Sequence, residues 1–181
     1  MGRGKHLGFL RHLGQFRFKL WLDGNASEVL SEIGVGEGHS ILDFGCGSGT
    51  YSIPAAKLIG KNGKVYSLDV SQSSLKKISS KAESEGLDNI VTLLSAGKPK
   101  IPIDDESLNH VLLIDVLQEI SNKEKLFEEI HRVLKPEGLV IVYPMHIDID
   151  EVVNITFNAN MRLKERKFQE QILVFEKPGN K

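Results

Sequence analysis

The 181-residue chain has one cysteine, Cys46, which excludes internal disulfides and thiolate metal clusters and fits a reducing cytoplasm. No apolar run approaches the ~20 residues that would cross a bilayer, so no transmembrane segment is expected. The N-terminus is basic but has no continuous apolar core and no small-residue cleavage site, so no signal peptide is expected either. Charge of one sign is missing as well. A formal net charge of −1 with 26% charged residues describes an ordinary soluble protein rather than an obligate nucleic-acid binder. There is no internal repeat and no low-complexity tract. The length suits one domain with room for a real core.

One absence is local. No acidic residue precedes Asp23, while Arg3, Lys5, Arg11, Arg17 and Lys19 are basic and His6 and His12 add to them. Phe9, Leu10, Leu13, Phe16 and Leu20 fall at helical spacing, with Trp21 beside them, so residues 1–22 read as a basic amphipathic segment. Such a segment packs on the domain edge, forms a partly disordered arm, covers a ligand site as a lid, or meets an anionic substrate or membrane surface. Gly4, Gly8 and Gly14 weaken a continuous helix there. The lid is the reading favoured, with residues 23–181 as the domain proper.

What is abundant is glycine at one place. Ile41–Thr50 reads ILDFGCGSGT: an apolar run ending at Asp43, then Gly45, Gly47 and Gly49 at alternate positions, then the helix-compatible YSIPAAKLIG. A strand that breaks into glycines and starts a helix makes a ligand-cradling turn, because glycines permit positive φ and helix N-termini offer free N–H groups. A dinucleotide fingerprint would place its third glycine at Thr50; here it falls early, at Gly49.

Around this turn, the patterning predicts a helix from Asn25 or Ser27 to about Ile33 and strands at about 40–44, 64–70, 90–94, 110–115 and 139–143. Helices are expected after the glycine turn to about Ile59, from a Ser71 cap through QSSLKKISSKAESEG, from a Ser121/Glu124 capping box to about Leu134, and over about 150–157. The tail MRLKERKF and ILVFEK reads as an antiparallel hairpin. The order gives an α/β, doubly wound, mostly parallel seven-stranded sheet with a C-terminal antiparallel hairpin and helices on both faces.

The pattern Asp-x-Gly-x-Gly-x-Gly resembles motif I of class I S-adenosylmethionine-dependent methyltransferases, and the resemblance extends over roughly 25–177. The chain looks most like the small-molecule group related to the ubiquinone/menaquinone-biosynthesis C-methyltransferases. It implies S-adenosylmethionine as cofactor, held by Asp43, Gly45, Cys46, Gly47 and Gly49 around the methionine and ribose portion. Asp69, about 20 residues beyond the last glycine, would accept hydrogen bonds from both ribose hydroxyls, and Val70 would pack on the adenine. Many relatives place an Asp-Ala pair after the third strand, where this chain has Ser95-Ala96: the hydroxyl can still accept a hydrogen bond but lacks the charge. Leu108 and Asn109 likewise replace a usual Phe-Asp. Asp115 and Val116 would reach the methionine end and the substrate.

The stretch DVLQEI lacks the Asn-Pro-Pro-Tyr type of motif used on planar amide or nucleobase nitrogens, and a cysteine inside the cofactor turn does not suit cytosine-carbon methylation. No convincing acid cluster for a catalytic metal is present. Glu119 and His146 are the available acid–base candidates, though alignment and exclusion of water can suffice for methyl transfer. The expected function is in-line methyl transfer to a small-molecule acceptor in the cytoplasm, with nucleic acid not expected as partner. Three alternatives stay open: a methyltransferase acting on RNA or protein through the basic arm, a cofactor-binding module without transfer activity, and a nicotinamide-dependent oxidoreductase.

Overall fold

The computed structural model describes residues 3–97 and 100–179, with side chains from residue 13 onward. Seven strands form one sheet: β1 (Ser40–Phe44), β2 (Lys64–Asp69), β3 (Ile90–Leu94), β4 (Leu108–Ile114), β5 (Leu134–Tyr143), β6 (Arg162–Lys167) and β7 (Ile172–Glu176). Their order is β3-β2-β1-β4-β5-β7-β6; β3 through β5 run parallel, and β7 lies antiparallel between β5 and β6. The helices are α1 (Arg3–Gly24), α2 (Ala26–Glu32), α3 (Ser52–Ile59), α4 (Gln72–Ser84), α5 (Lys123–Val133) and α6 (Ile149–Asn158). This is the α/β doubly wound sheet that the patterning predicts.

Successive strand residues point to opposite faces, and this divides the core. Leu42, Phe44, Val111, Leu113, Val140 and Val142 meet α5 and α6 through Phe127, Ile130, Val152 and Ile155. Ile41, Leu112, Ile141 and Tyr143 meet the other helix layer through Leu22 of α1, Val29 and Leu30 of α2, and Ala55 and Ile59 of α3. Leu75, Ile78 and Ala82 of α4 close a smaller cluster with Ile53 and Cys46. Phe127 is fully buried, and truncating such a side chain to alanine typically costs about 3–5 kcal/mol.

Several local expectations change. The Ser121/Glu124 box does not cap α5; Asn122 does, its Oδ1 accepting from the Lys125 N–H at 2.9 Å. Asparagine is as good a cap as serine, and a start at Lys123 turns Leu126, Phe127, Ile130 and Val133 inward together. Before it, residues 117–119 form a short 3₁₀ turn that the patterning did not single out. Asn25 stands at the start of α2, but its side-chain amide donates back to the Trp21 carbonyl at 2.7 Å, closing the end of α1. β3 is only partly buried because it is a sheet edge. β5 begins five residues early, at Leu134, and its pairing with β4 shifts between Leu108 and His110, so Lys135–Gly138 bulges out.

Despite its glycines, α1 is continuous in backbone from Arg3 to Gly24 and runs past the expected boundary at residue 22. The side chains expected to act at its basic start (Arg3, Lys5, His6, Phe9, Leu10, Arg11 and His12) lie outside the described residues, as does Pro99. Beyond residue 12 the amphipathic reading needs correcting. The inward side chains are Phe18 and Leu22, whereas Leu13, Phe16, Leu20 and Trp21 are exposed.

Candidate active site

β1, β2, β3 and β4 all deliver their C-terminal ends to one side of the sheet, where a cavity of about 390 Å³ opens. This is the edge of a parallel α/β sheet at which ligands bind, and the volume lies within the range for small-molecule sites. Its lining draws on the glycine turn, the tips of β2, β3 and β4, and residues 119–122.

The glycines have different duties. Gly45 adopts φ +73°, and a Cβ there would stand 2.4 Å from Val116 Cγ2. That glycine lets the turn press against the segment after β4. Gly49 packs on α4: a Cβ would meet Ile78 Cγ1 at 2.8 Å. Gly47, at φ +50°, has open space where a Cβ would be, and it lines the cavity.

Asp69 ties the turn to the tip of β2. Its Oδ2 accepts from the Gly47 N–H at 2.9 Å and its Oδ1 from the Ser71 N–H at 2.8 Å. Each oxygen retains acceptor capacity, and Asp69 lines the cavity. Val70 beside it is 66% exposed. Ser95 Oγ accepts from the Gly97 N–H at 3.1 Å, which leaves the hydroxyl hydrogen and one lone pair for another partner. On the opposite wall Asp115 holds a left-handed backbone at φ 56°, uncommon for a non-glycine residue and typical of functional sites. The Gln118 amide braces its carboxylate at 2.9 Å.

The structure thus gathers Gly45, Gly47, Asp69, Val70, Ser95, Asp115, Val116 and Glu119 around one cavity, and leaves Asp43, Cys46, Gly49, Ala96 and His146 out of its lining. Asp43 is buried beneath the turn. Its Oδ2 accepts from the Ser52 hydroxyl at 2.6 Å, and Ser52 in turn accepts from Ser67 at 2.8 Å. Burial, opposed in part by Ser52, raises the Asp43 carboxyl to about 6. Burial raises the Cys46 thiol as well, and a raised thiol is a poor nucleophile. His146 is exposed beyond the end of β5.

Phe44, Leu68, Gly97, Ile120, Ser121 and Asn122 complete the lining. Phe44 and Leu68 belong to the strand ends already singled out. Ile120 to Asn122 follow the 3₁₀ turn into the lining, and no local pattern marks Ile120 or Asn122 as ligand-facing. Two tyrosines beside the site carry no signal in the sequence pattern. Tyr51, next to the glycine turn, donates to Asp23 Oδ1 at 2.7 Å, and Tyr143, at the end of β5, donates to the Gln15 carbonyl at 2.8 Å. Burial, with Asp115 and Asp23 nearby, pushes the Tyr143 hydroxyl up to about 12. Among the described residues, no group of three or more His, Cys, Asp or Glu side chains could hold a metal ion.

Residues 36–173 match the family model described as "Methyltransferase domain". The chain is 32% identical over 114 residues to the demethylmenaquinone methyltransferase of Geobacillus stearothermophilus, covering 63% of this chain and 48% of the relative. It is 29% identical over 126 residues to the ubiquinone/menaquinone biosynthesis C-methyltransferase UbiE of Cronobacter sakazakii, covering 70% of this chain and 50% of the relative. The chain therefore spans about half the length of the curated relatives it matches. Among solved structures, a SAM-dependent methyltransferase from Aquifex aeolicus superposes with a TM-score of 0.72 at 28% identity, covering 84% of this chain and 88% of that one. With the sheet order, the glycine turn and this match in agreement, the chain belongs to the methyltransferase-domain family, with the Rossmann-like fold of the class I S-adenosylmethionine-dependent enzymes.

Proposed function

We propose that the cavity binds S-adenosylmethionine and that the chain transfers its methyl group to a small-molecule acceptor of the quinone-ring type named in its relatives. The observation that carries this reading is Asp69 at the tip of β2, clasping the Gly47 N–H while keeping acceptor capacity toward the cavity. The residues fit the group. Gly47 leaves room for close approach, Asp69 offers a charge-assisted partner for ribose hydroxyls, and Phe44, Leu68 and Val70 give apolar surface for an aromatic base.

When bound, the cofactor supplies an electrophilic methyl on a sulfonium. The protein's own part is to place the acceptor in line with that methyl and to exclude water. Asp115 and Val116 follow β4, on the other side of β1 from Val70, and Glu119, one of three lining carboxylates with Asp69 and Asp115, is our candidate to take up a proton. Methylation at a ring carbon releases that proton as the ring regains its aromaticity.

Calorimetry with S-adenosylhomocysteine tests the reading. Asp69→Asn keeps a hydrogen-bonding side chain but loses the charge, and should weaken binding by roughly 1.5–3 kcal/mol. An unchanged dissociation constant removes Asp69 from the ribose. A demethylated naphthoquinol that gains no methyl from labelled S-adenosylmethionine removes the quinone acceptor.

A further inference from the structure

We propose that the outward face of α1 docks on an anionic lipid surface. α1 presents apolar side chains on two sides. Phe18 and Leu22 cover the core, with the Phe18 ring tilted against Tyr143 at 5.5 Å between centroids. Leu13, Phe16 and Leu20 follow the i, i+3, i+7 spacing of a single stripe, and they face solvent at 45%, 53% and 57% exposure. Trp21, itself 41% exposed, flanks the stripe and meets Phe168 of the β6–β7 turn at 5.6 Å. A helix whose second apolar face is left bare has a partner to meet.

The charges select that partner. Residues 13–22 contain no acid, and Arg17 is exposed on the stripe itself. Asp23, the first carboxylate, is already occupied, accepting from the Tyr51 hydroxyl and pairing with Lys19. A second copy packed on this face would find no carboxylate within its own residues 13–22 to pair with Arg17. An anionic bilayer matches the whole arrangement: leucine and phenylalanine enter the acyl boundary, tryptophan sits at the headgroup level, and arginine meets lipid phosphates. The helix then lies in the interface plane, and among the described residues no helix is long and apolar enough to cross a membrane. The opposite face of α1 covers Tyr143, whose backbone carbonyl accepts from the N–H of Asp115, so docking would bring the acceptor end of the site close to the lipid. The inference does not rest on the assignment of the cofactor.

Co-sedimentation with vesicles tests it, comparing phosphatidylcholine alone with phosphatidylcholine containing phosphatidylglycerol. The full chain should partition to the anionic vesicles and be released by salt. Arg17→Gln should weaken that partition about fivefold, and Phe16→Asp with Leu20→Asp should abolish it. Circular dichroism and S-adenosylhomocysteine binding should stay unchanged in these surface variants, which separates this result from failure of the site. Equal partition of the wild-type and doubly substituted chains overturns the proposal, as does no partition at all. A wild-type dimer that the double substitution disperses, without vesicle binding, would assign the face to a second copy instead.

Discussion

Asp43 and His110 are two buried groups with opposite demands on pH. Burial raises the Asp43 carboxyl to about 6, so the folded state holds its proton more tightly than the unfolded chain and stability falls as pH rises from about 4 to 6. Burial lowers the His110 imidazole to about 4, so folding prefers it neutral and stability falls as pH drops from 6.5 toward 4. Each effect is worth up to about 3 kcal/mol, and in the wild-type chain they offset one another across the same interval. Asp43→Asn should therefore make the protein steeply acid-labile below pH ~6.5, and His110→Phe should make it more stable on acidification toward pH ~4. Urea unfolding across this range, followed for all three chains, checks both signs. Parallel profiles would show that neither group titrates differently on folding.

At the scale of elements, α1 is fastened near the cavity end of the sheet by few bonds. Asp23 accepts from Tyr51 at 2.7 Å and Gln15 accepts from Tyr143 at 2.8 Å, whereas Lys19, which pairs with Asp23, lies on α1 itself. Asp23→Ala removes the first of these and leaves the Tyr51 hydroxyl without its acceptor, a loss of about 1–3 kcal/mol. Because that loss is confined to one helix, the amides of 16–24 should exchange with solvent faster while those of β1 and β4 keep their protection. Unchanged exchange across 16–24 would mean that Phe18 and Leu22 alone hold the helix. The same helix shows where reading the sequence stopped. Spacing grouped Leu13, Phe16 and Leu20 on one side, but spacing cannot tell which side of the helix faces inward; that depends on Tyr143, more than a hundred residues away. Gly47 and Asp69 were legible because the turn and the strand tip are local structures with local chemistry. Ile120 and Asn122 were not, since they enter the site through a 3₁₀ turn that only tertiary packing selects.

For the molecule as a whole, the cavity sits where four strand ends, the glycine turn and the segment after β4 meet. A ligand held there braces elements that are far apart in the chain, so binding should stabilise the entire domain. At a hundredfold excess over its dissociation constant, S-adenosylhomocysteine should add about 2.7 kcal/mol of stability, or roughly 5–10 °C in the unfolding midpoint. NADH should add none. The reverse ranking would return the chain to the oxidoreductase reading that the early glycine disfavours.

The position of β7 has a consequence for how the chain is made. β5 pairs with β4 on one side, but its other neighbour is residues 172–176, synthesised after both α6 and β6. Until they arrive, a strand of the central sheet has one open edge, and the β6–β7 turn that carries Phe168 does not yet exist to meet Trp21. α1 is thus made early yet is among the last elements to find its full set of contacts, and a chain paused near residue 170 exposes both a bare strand edge and an apolar helix. Such a pause is when this protein would most need a chaperone.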